Sequence, residues 1–492
     1  MKKTISLVLI FALIVAMLTA CGKSEPAPVE PETQEEATEE AQETVEDMST
    51  DIVVIGAGGA GMAAALSAAE KGSNVILLEK MPMVGGNTTR ATGGINAAGT
   101  KAQAEAGIED DIETFIEDTM EGGKGQNNPH LVRVLAENSN GAIEWLESLG
   151  ADLSDVGLGG GATNKRFHRP AGGAAVGAEV VRVLKENVDK SEKITLLLDT
   201  EATKIIKEED TVVGVMAKSK EGEFKIDAKA VIVTTGGFSA NPDMVIEQVE
   251  ELEGFATTNQ PGATGEGIVM AQEVGARLIQ MNHIQTHPTV VPEKGIMITE
   301  AVRGNGAIVI NRSGQRFVNE METRDVVSKA ILEQEGKTAF LLFNDTVRES
   351  LGAIEGYFKQ NLVTEGKAEE LGEALGIDAN ALIETLKSYG DAVAQNSDAL
   401  GREHLEVAIN PEEMLYAIEI TPAVHHTMGG IEIDVDGHVI GEDNSPIKGL
   451  YAAGECTGGV HGANRLGGNA MADIIVFGRI AGASAVEDSK YL

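Results

Sequence analysis

A glycine-rich turn near residue 56 has the spacing that a dinucleotide site requires. Residues 51–55, an aspartate followed by four apolar residues, predict a short strand, and Gly56, Gly58, Gly59, Ala60 and Gly61 follow it directly. A helical pattern over residues 62–71 comes next. In such a turn the first glycine permits a sharp bend, the second admits a pyrophosphate and the third lets the helix pack on the strand. The N–H groups at the start of that helix would then face the phosphates.

An acidic residue and a long continuation decide which dinucleotide is expected. A second strand over residues 74–78 ends at Glu79, which is placed to accept ribose hydroxyls, and no arginine adjoins it. The glycine- and threonine-rich continuation through Asn87, Thr88, Gly93 and Gly94 extends past the acid, where a plain NAD domain would return to its sheet. Further strands end in glycines near residues 236 and 454. Dinucleotide segments separated by a long insertion favour FAD.

Composition excludes several classes of protein. With 492 residues, 42% of them hydrophobic, the chain exceeds a single domain of ~150 residues. A net charge of −38 argues against nucleic acid as a partner. The two cysteines, Cys21 and Cys456, cannot supply a disulfide framework, a cysteine-based zinc site, an iron–sulfur cluster or a CxxCH haem attachment. No metal site is predicted.

The first 50 residues have the pattern of a targeting signal followed by a disordered tether. Lys2 and Lys3 precede an apolar run over residues 5–20, which is short for a membrane span and typical of a secretory signal. Small residues before Cys21 resemble the processing site of a bacterial lipoprotein, which predicts a signal peptide over 1–20, acylation of Cys21 and an extracytoplasmic protein held to the cell membrane by lipid alone. An ordinary signal peptide is the alternative. Residues 21–50, rich in Pro and Glu, predict a disordered acidic tether.

Three later stretches, taken together, identify a family. They are residues 284–289 (IQTHPT), residues 297–306 (MITEAVRGNG) continuing to 319–325 (NEMETRD), and residues 421–430 (TPAVHHTMGG) followed by 454–471 (GECTGGVHGANRLGGNAM). In this order they resemble the soluble fumarate reductase flavoproteins, akin to the flavoprotein part of flavocytochrome c. The resemblance runs from about residue 50 to the C-terminus.

The resemblance implies an α/β fold with two domains. A Rossmann-like FAD-binding domain would comprise two sequence segments, 51–281 and 426–492. An inserted α+β capping domain, 282–425, would close over the flavin. The active site would then lie in the crevice between the domains, where ligand sites are common.

The resemblance also implies roles for particular side chains. Arg465 and His425 would hold one substrate carboxylate, and His287 and Thr299 the other, with Glu300 and Gly468 beside them. Arg324 would donate the proton, supplied through Glu300 and Arg303, whose spacing of three places both on one side of a helical turn. The implied reaction is reduction of the C=C bond of a small unsaturated carboxylate, with fumarate to succinate leading, in extracytoplasmic anaerobic respiration.

For the cofactor, the resemblance assigns His426, Glu455, Ala470 and Met471 to the flavin in addition to the residues above. Membrane-bound relatives attach FAD to a histidine where this chain has Asn87, so non-covalent FAD is expected. The chain contains neither a CxxCH motif nor an FMN attachment sequence. We therefore expect electrons to come from a separate cytochrome or flavinylated protein.

Several alternatives stay open at the level of sequence. Relatives in the same family reduce urocanate, methacrylate or other acrylates. A more distant alternative is a dehydrogenase or oxidase acting on succinate, aspartate or a ketosteroid, and a third is a lipoprotein that only binds small molecules. Taken alone, Arg324 could be a surface ion-pair residue, His287 a loop residue, and His425 and His426 structural residues.

Overall fold

The structure is a computed structural model that describes residues 46–491. The predicted signal peptide, Cys21 and most of the tether lie outside the described residues. The strands are β1 Met48–Ile55, β2 Val75–Leu78, β3 Ile95–Asn96, β4 Asp155–Gly157, β5 Phe167–Arg169, β6 Ile194–Leu197, β7 Glu201–Glu208, β8 Thr211–Lys218, β9 Glu223–Val233, β10 Leu278–Ile279, β11 Ile284–Val290, β12 Ile308–Ile310, β13 Ala339–Asn344, β14 Thr364–Gly366, β15 Leu415–Thr427, β16 Gly430–Glu432, β17 His438–Ile440, β18 Pro446–Ala452 and β19 Thr457–Gly458.

The α-helices are α1 Gly59–Glu70, α2 Lys101–Glu105, α3 Ile112–Gly122, α4 Pro129–Ser148, α5 Val176–Lys190, α6 Pro242–Gln248, α7 Glu266–Glu273, α8 Ala301–Gly304, α9 Arg324–Leu332, α10 Asp345–Ser350, α11 Ile354–Lys359, α12 Ala368–Leu375, α13 Ala379–Gln395 and α14 Asn469–Asp488. Short 3₁₀ turns occupy Gly86–Arg90, Glu250–Leu252 and Glu335–Lys337.

The largest sheet is built from both ends of the described chain. Its strands run in the order β17-β18-β8-β9-β1-β2-β6, with β7 on β8 and a further pairing of β18 with β9. Strands β6, β2, β1, β9 and β18 pair in parallel, which is typical of a sheet built from βαβ units. Because β18 pairs with β9, the C-terminal segment returns to the sheet that the N-terminal segment began. A mixed α/β fold of this kind confirms the predicted class.

Two hydrophobic cores define two lobes. The large lobe buries residues between 52 and 276 together with residues between 424 and 486 around the parallel sheet. The small lobe buries residues between 291 and 420 on both faces of the antiparallel sheet β11-β15-β13-β12, with β14 on β15. Strand β15 runs without a break across residue 425. The domain boundaries suggested by the sequence therefore stay a prediction.

The glycine turn and the last helix pack closely. Helix α1 is rich in alanine, a strong helix former, and ends before Gly72, whose φ is 101°. A Cβ at Gly482 of α14 would lie 2.3 Å from the carbonyl oxygen of Ala64, so only glycine allows the two helices to approach this far. By length and composition α14 could cross a membrane, but 67% of its apolar window is buried inside the protein, as in a core helix.

Two helix boundaries differ from the sequence-based expectation. Helix α1 starts at Gly59 rather than residue 62, because Met62 N–H already donates to the Gly58 carbonyl. The apolar pattern over residues 466–484 predicts a C-terminal helix, and the structure has it at Asn469–Asp488. Its N-cap is Gly468, whose φ of 84° excludes an earlier helical start.

Candidate active site

A narrow cavity lies above the glycine turn. It measures about 100 Å³ and is lined by Gly56, Gly58, Gly59, Ala60 and Glu79, among others. A Cβ at Gly58 would meet no atom within 4 Å, so the backbone here faces open space that a phosphate could fill. The N-cap residue Gly58 has no side chain, and Gly59 N–H donates to Thr88 Oγ1 at 3.1 Å. The N–H groups of Ala60 and Gly61 follow in the first turn and remain available to an anion.

Gly61 and Glu79 contribute to the nucleotide site in different ways. Gly61 does not line the cavity, and a Cβ there would lie 1.8 Å from the Gly56 carbonyl oxygen, so it serves close packing of helix on strand. Glu79 is buried, and burial raises the pKa of its carboxyl group. Its oxygens accept from Ala57 N–H and Met81 N–H, both at 2.9 Å, which fixes the carboxylate at the cavity wall.

A second cavity of about 450 Å³ continues from the first, and the two share Asn87, Thr88, Glu455 and Ile474 in their walls. It lies between the lobes. The sequence-predicted residues that line it are Asn87, Thr88, Gly93, Gly94, His287, Thr299, Glu300, Arg324, His425, His426, Glu455, Arg465, Gly468, Ala470 and Met471. Residues nearly 400 positions apart in the chain therefore meet at one site.

Arg324 and Glu300 form a buried ion pair at the cavity wall. Arg324 Nε donates to Glu300 Oε2 at 2.7 Å, and each residue is less than 10% exposed. Arg303 Nη2 lies 3.8 Å from the same oxygen, and Arg303 does not line the cavity. Burial acts to raise the pKa of Glu300, yet the charges of Arg324 and Arg303 lower it to about 2. The three side chains lie in a row from the cavity inward. Arg324 is hydrogen-bonded to Glu300, whereas Arg303 and Glu300 make a charge contact without a hydrogen bond.

Two polar residues at this site, Gln285 and Tyr357, are not among the site residues predicted from the sequence. Gln285 Oε1 accepts from Arg324 Nη1 at 3.1 Å, while Gln285 Nε2 donates to the Arg465 carbonyl oxygen at 2.7 Å. Tyr357 Oη accepts from Thr299 N–H at 2.9 Å, and burial raises the pKa of Tyr357 to about 12. Gln285 stands within the quoted IQTHPT stretch, which could have directed attention to it.

His287 and His425 face each other, with ring centroids 5.0 Å apart. Burial first, and the charge of Arg324 next, hold the pKa of both imidazoles well below the ordinary value, so both rings are neutral. Thr289 N–H donates to His287 Nδ1 at 3.3 Å, which leaves the ring proton on Nε2. Among the described residues this buried Nε2 has no hydrogen-bond partner, so its N–H can donate to a bound ligand. His425 Nδ1 is held by Thr258 Oγ1 at 2.7 Å.

Arg465 also lines this cavity and has no acidic partner within salt-bridge distance among the described residues. Its Nη1 donates to the Leu466 carbonyl oxygen, and its Nε is buried and unpartnered. Burial lowers the pKa of Arg465 to about 9. A buried guanidinium without a counterion is costly, so this side chain is poised for an anion.

Glu455 and His426 stand where the two cavities meet. Burial raises the pKa of Glu455 to about 7, and its Oε1 accepts from Thr427 N–H at 3.1 Å. His426 Nδ1 lies 3.6 Å from the same oxygen, while His426 Nε2 is buried without a partner. Asn87 contacts Asn259 and accepts from Gln260 N–H at 2.9 Å.

The residues present fit an FAD. The first cavity offers the available N–H groups at the start of α1 and a carboxylate, as an adenosine diphosphate moiety requires. The second continues from it and presents the unpartnered His426 Nε2 and, at the Gly468 cap, the start of α14. A positive helix end favours an anionic reduced flavin. This fold and this pair of joined cavities define the class of FAD-dependent oxidoreductases.

Comparisons with known proteins agree. The model of a family described as "FAD binding domain" matches residues 51–471. The "Fumarate reductase (cytochrome)" of Shewanella frigidimarina is 49% identical over 446 residues, which are 90% of this chain and 78% of that protein. The "Urocanate reductase" of Eggerthella lenta is 36% identical over an alignment of 500 positions, which covers 96% of this chain and 80% of that protein.

A solved structure supports the same assignment. The open conformation of a flavocytochrome c3 fumarate reductase matches with a TM-score of 0.76 and 40% identity, over 90% of this chain and 79% of that one. The chain belongs to the fumarate reductase family of FAD-binding flavoproteins and is an oxidoreductase that acts on carbon–carbon double bonds.

Proposed function

We propose that the protein reduces the C=C bond of a small unsaturated dicarboxylate, converting fumarate to succinate. The observation that carries this proposal is the buried Arg465, which has no acidic partner among the described residues and an unpartnered Nε. A substrate carboxylate is the group that would satisfy it, because a guanidinium binds carboxylate with two parallel hydrogen bonds. The relative of 49% identity is named for the same substrate.

Donors at two places in the cavity favour a substrate with two carboxylates. Arg465 and His425 would bind one carboxylate. His287, through its Nε2–H, and Thr299 would bind the other. Both histidines are neutral, so the fixed positive charge comes from Arg465 and from Arg324. Hydrogen bonds at both ends of the alkene would withdraw electron density and stabilise the negative charge that develops on a carboxylate during reduction.

Reduction needs a hydride at one carbon and a proton at the other. Reduced FAD, when bound, supplies the hydride. Arg324 would donate the proton, since it lines the cavity and Glu300 holds its guanidinium in place. A guanidinium gives up a proton only to a strong base, and the carbanion-like carbon is one. Glu300 would return a proton to Arg324 from Arg303, so each turnover moves one proton from outside the cavity to the substrate.

The cofactor, the electron donor and the location complete the proposal. Asn87 offers no nucleophile for a covalent flavin bond, so FAD would be held by non-covalent contacts alone. Electrons would come from a separate cytochrome or flavinylated protein. Cys21 would carry a lipid that anchors the enzyme on the outer face of the cell membrane, and a Cys21→Ser chain should then leave the membrane fraction.

The test is anaerobic oxidation of reduced viologen by the FAD-loaded enzyme with fumarate, urocanate, methacrylate or cinnamate as acceptor. We expect turnover on fumarate alone, lost in Arg324→Ala. As a matched control, Arg133→Ala removes an exposed ion pair and should keep the rate. Turnover on another acrylate, with fumarate inert, would overturn the dicarboxylate assignment but keep the proton donor. Oxygen-coupled oxidation of succinate without reduction of any acceptor would overturn the direction of the reaction.

A further inference from the structure

A backbone amide from the large lobe contacts the proton path in the small lobe. Gly160 N–H donates to Glu300 Oε1 at 2.7 Å. Gly160 lies on the loop 158–166, between β4 and β5, and it lines neither cavity. Glu300 is the N-cap residue of α8, and its neighbours Ile298 and Ala301 belong to the core of the small lobe. The bond thus joins two parts of the chain 140 residues apart.

The loop that carries this amide is fixed to the large lobe by buried charges. Thr163 donates to Asp118 through both its N–H and its Oγ1, at 2.9 and 2.6 Å. The fully buried Arg166 pairs with Asp110 at 2.9 Å and with Asp118 at 3.0 Å. These contacts anchor the loop that carries Gly160 to the large lobe at residues 163 and 166.

The two oxygens of Glu300 have separate partners. Oε1 faces Gly160 N–H, while Oε2 faces Arg324 Nε at 2.7 Å and Arg303 Nη2 at 3.8 Å. A carboxylate free to rotate could turn either oxygen toward Arg324. With Oε1 held by an amide, the single oxygen that touches both arginines stays in place.

We propose that the Gly160 N–H is a positioning group for proton delivery in the reaction proposed above, on which this inference rests. It orients Oε2 and stabilises the anionic form of Glu300. In each turnover Arg324 loses its proton to the substrate carbon, Arg303 gives a proton to Oε2, Oε2 passes it to Arg324, and Arg303 regains a proton from outside the cavity. An N–H bond to Oε1 keeps that proton from remaining on Glu300. Since the bond crosses between lobes, the path is aligned only while the lobes are in contact at Gly160.

Steric space also restricts residue 160 to glycine. A Cβ at residue 160 would lie 2.9 Å from Glu300 Oε1, so even alanine displaces the carboxylate. Two substitutions therefore separate the functions of this residue. Gly160→Ala keeps the N–H and adds a Cβ, while Gly160→Pro adds a Cβ and also removes the N–H, so the difference between the two variants reports the N–H.

The kinetic test measures both variants with the unsaturated acid that the wild-type enzyme reduces. We expect kcat to fall about tenfold in Gly160→Pro and less in Gly160→Ala, with KM within about twofold of wild type because residue 160 lines no cavity. The ratio of wild-type to Gly160→Pro kcat should grow as pH falls from 8 to 5, because Glu300 then holds its proton more readily. A loss of FAD binding and a rise in KM without that pH dependence would instead show a structural role and overturn the proposal.

A second test needs no turnover. Hydrogen exchange of the peptide that covers the loop 158–166 should show a slowly exchanging amide at Gly160 in the wild type, lost in Glu300→Ala with FAD still bound. An amide at Gly160 that exchanges as fast in wild type as in Glu300→Ala would overturn the proposal. This measurement is independent of the substrate. A wild-type enzyme that is inactive on every acceptor would refute the proposed function, while hydrogen exchange would still show whether Gly160 N–H is bonded to Glu300.

Discussion

The side-chain oxygen of Gln285 accepts a hydrogen bond from Arg324 Nη1 at 3.1 Å, so a neutral amide shares with Glu300 the task of holding this guanidinium. Gln285 and Glu300 bind different nitrogen atoms of the planar guanidinium of Arg324. Nη1 is fixed by Gln285 and Nε by Glu300. This leaves Nη2 as the end of Arg324 on which neither residue makes a contact, and we infer that it faces the substrate.

Gln285→Leu should therefore misplace Arg324, the proposed proton donor, without removing a charge. We expect kcat to fall about tenfold, with a smaller change in KM, because only one of two restraints on Arg324 is lost. Steady-state kinetics of viologen oxidation measure both constants. Gln395→Leu, at the exposed end of α13, is the matched control and should leave both unchanged. An unaltered kcat in Gln285→Leu would show that Glu300 alone positions Arg324.

Arg465→Lys tests the anion site. The ammonium keeps a charge but loses the paired N–H groups, so we expect KM for fumarate to rise about 10- to 100-fold with a smaller effect on kcat. Arg479→Lys changes an arginine that stacks on Trp145 away from the cavity, and its KM should not move. Equal KM values in Arg465→Lys and wild type would contradict the assignment of Arg465 to the substrate.

The charge of Arg465 should also determine how KM depends on pH in the alkaline range. Burial lowers the pKa of Arg465 to about 9, so the free enzyme loses this charge as pH rises through 9. A dianion binds only the charged form. KM should thus be constant near neutral pH and rise about tenfold per pH unit above 9. A KM that stays flat to pH 10 would show that the charge persists or that the substrate does not contact it.

The parts of the site that a local pattern encodes could be predicted from sequence. The glycine turn and Glu79 form one βαβ unit, so their spacing alone places them around a nucleotide. The burial of Arg324 could not be judged from its local sequence, where an exposed ion pair is as plausible, and only the family motif favoured a role in the site. The contact between Gly160 and Glu300 has no sequence signal, because a backbone N–H looks alike at every residue and its partner lies 140 positions away.

A pair of glycines tests the packing of the large lobe. In Gly482→Ala the new Cβ would lie 2.3 Å from the Ala64 carbonyl oxygen, a backbone atom that cannot move cheaply, so we expect the free energy of unfolding to fall by about 2 kcal/mol or more. Gly390→Ala, inside α13, meets no atom within 4 Å and should instead raise it by ~0.5–1 kcal/mol through helix propensity. Urea unfolding of the FAD-loaded variants compares them. Equal effects at the two positions would contradict the close crossing of α1 and α14.

His438, the first residue of β17, connects the end of α14 to the large sheet through Asp488. Its Nδ1 faces Asp434 Oδ2 at 2.9 Å and its Nε2 faces Asp488 Oδ2 at 2.8 Å, where Tyr451 Oη also donates. The hydrogen bond to Asp434, opposed by partial burial and assisted by Asp488, raises the pKa of His438 to about 9. The ion pairs therefore stabilise the fold fully below pH 6.5, and this stabilisation is lost as pH rises through 9.

His438→Gln should accordingly lower the free energy of unfolding by about 1–2 kcal/mol at pH 6, a value reduced from the full pKa shift because the pair is partly exposed to solvent. The difference from wild type should shrink to less than about 0.5 kcal/mol at pH 10, where His438 is neutral in both folded and unfolded chains. Urea unfolding at the two pH values measures it, with His130→Gln, at an exposed position, as control. A difference that is the same at pH 6 and pH 10 would mean that His438 acts by packing, since packing does not depend on its proton.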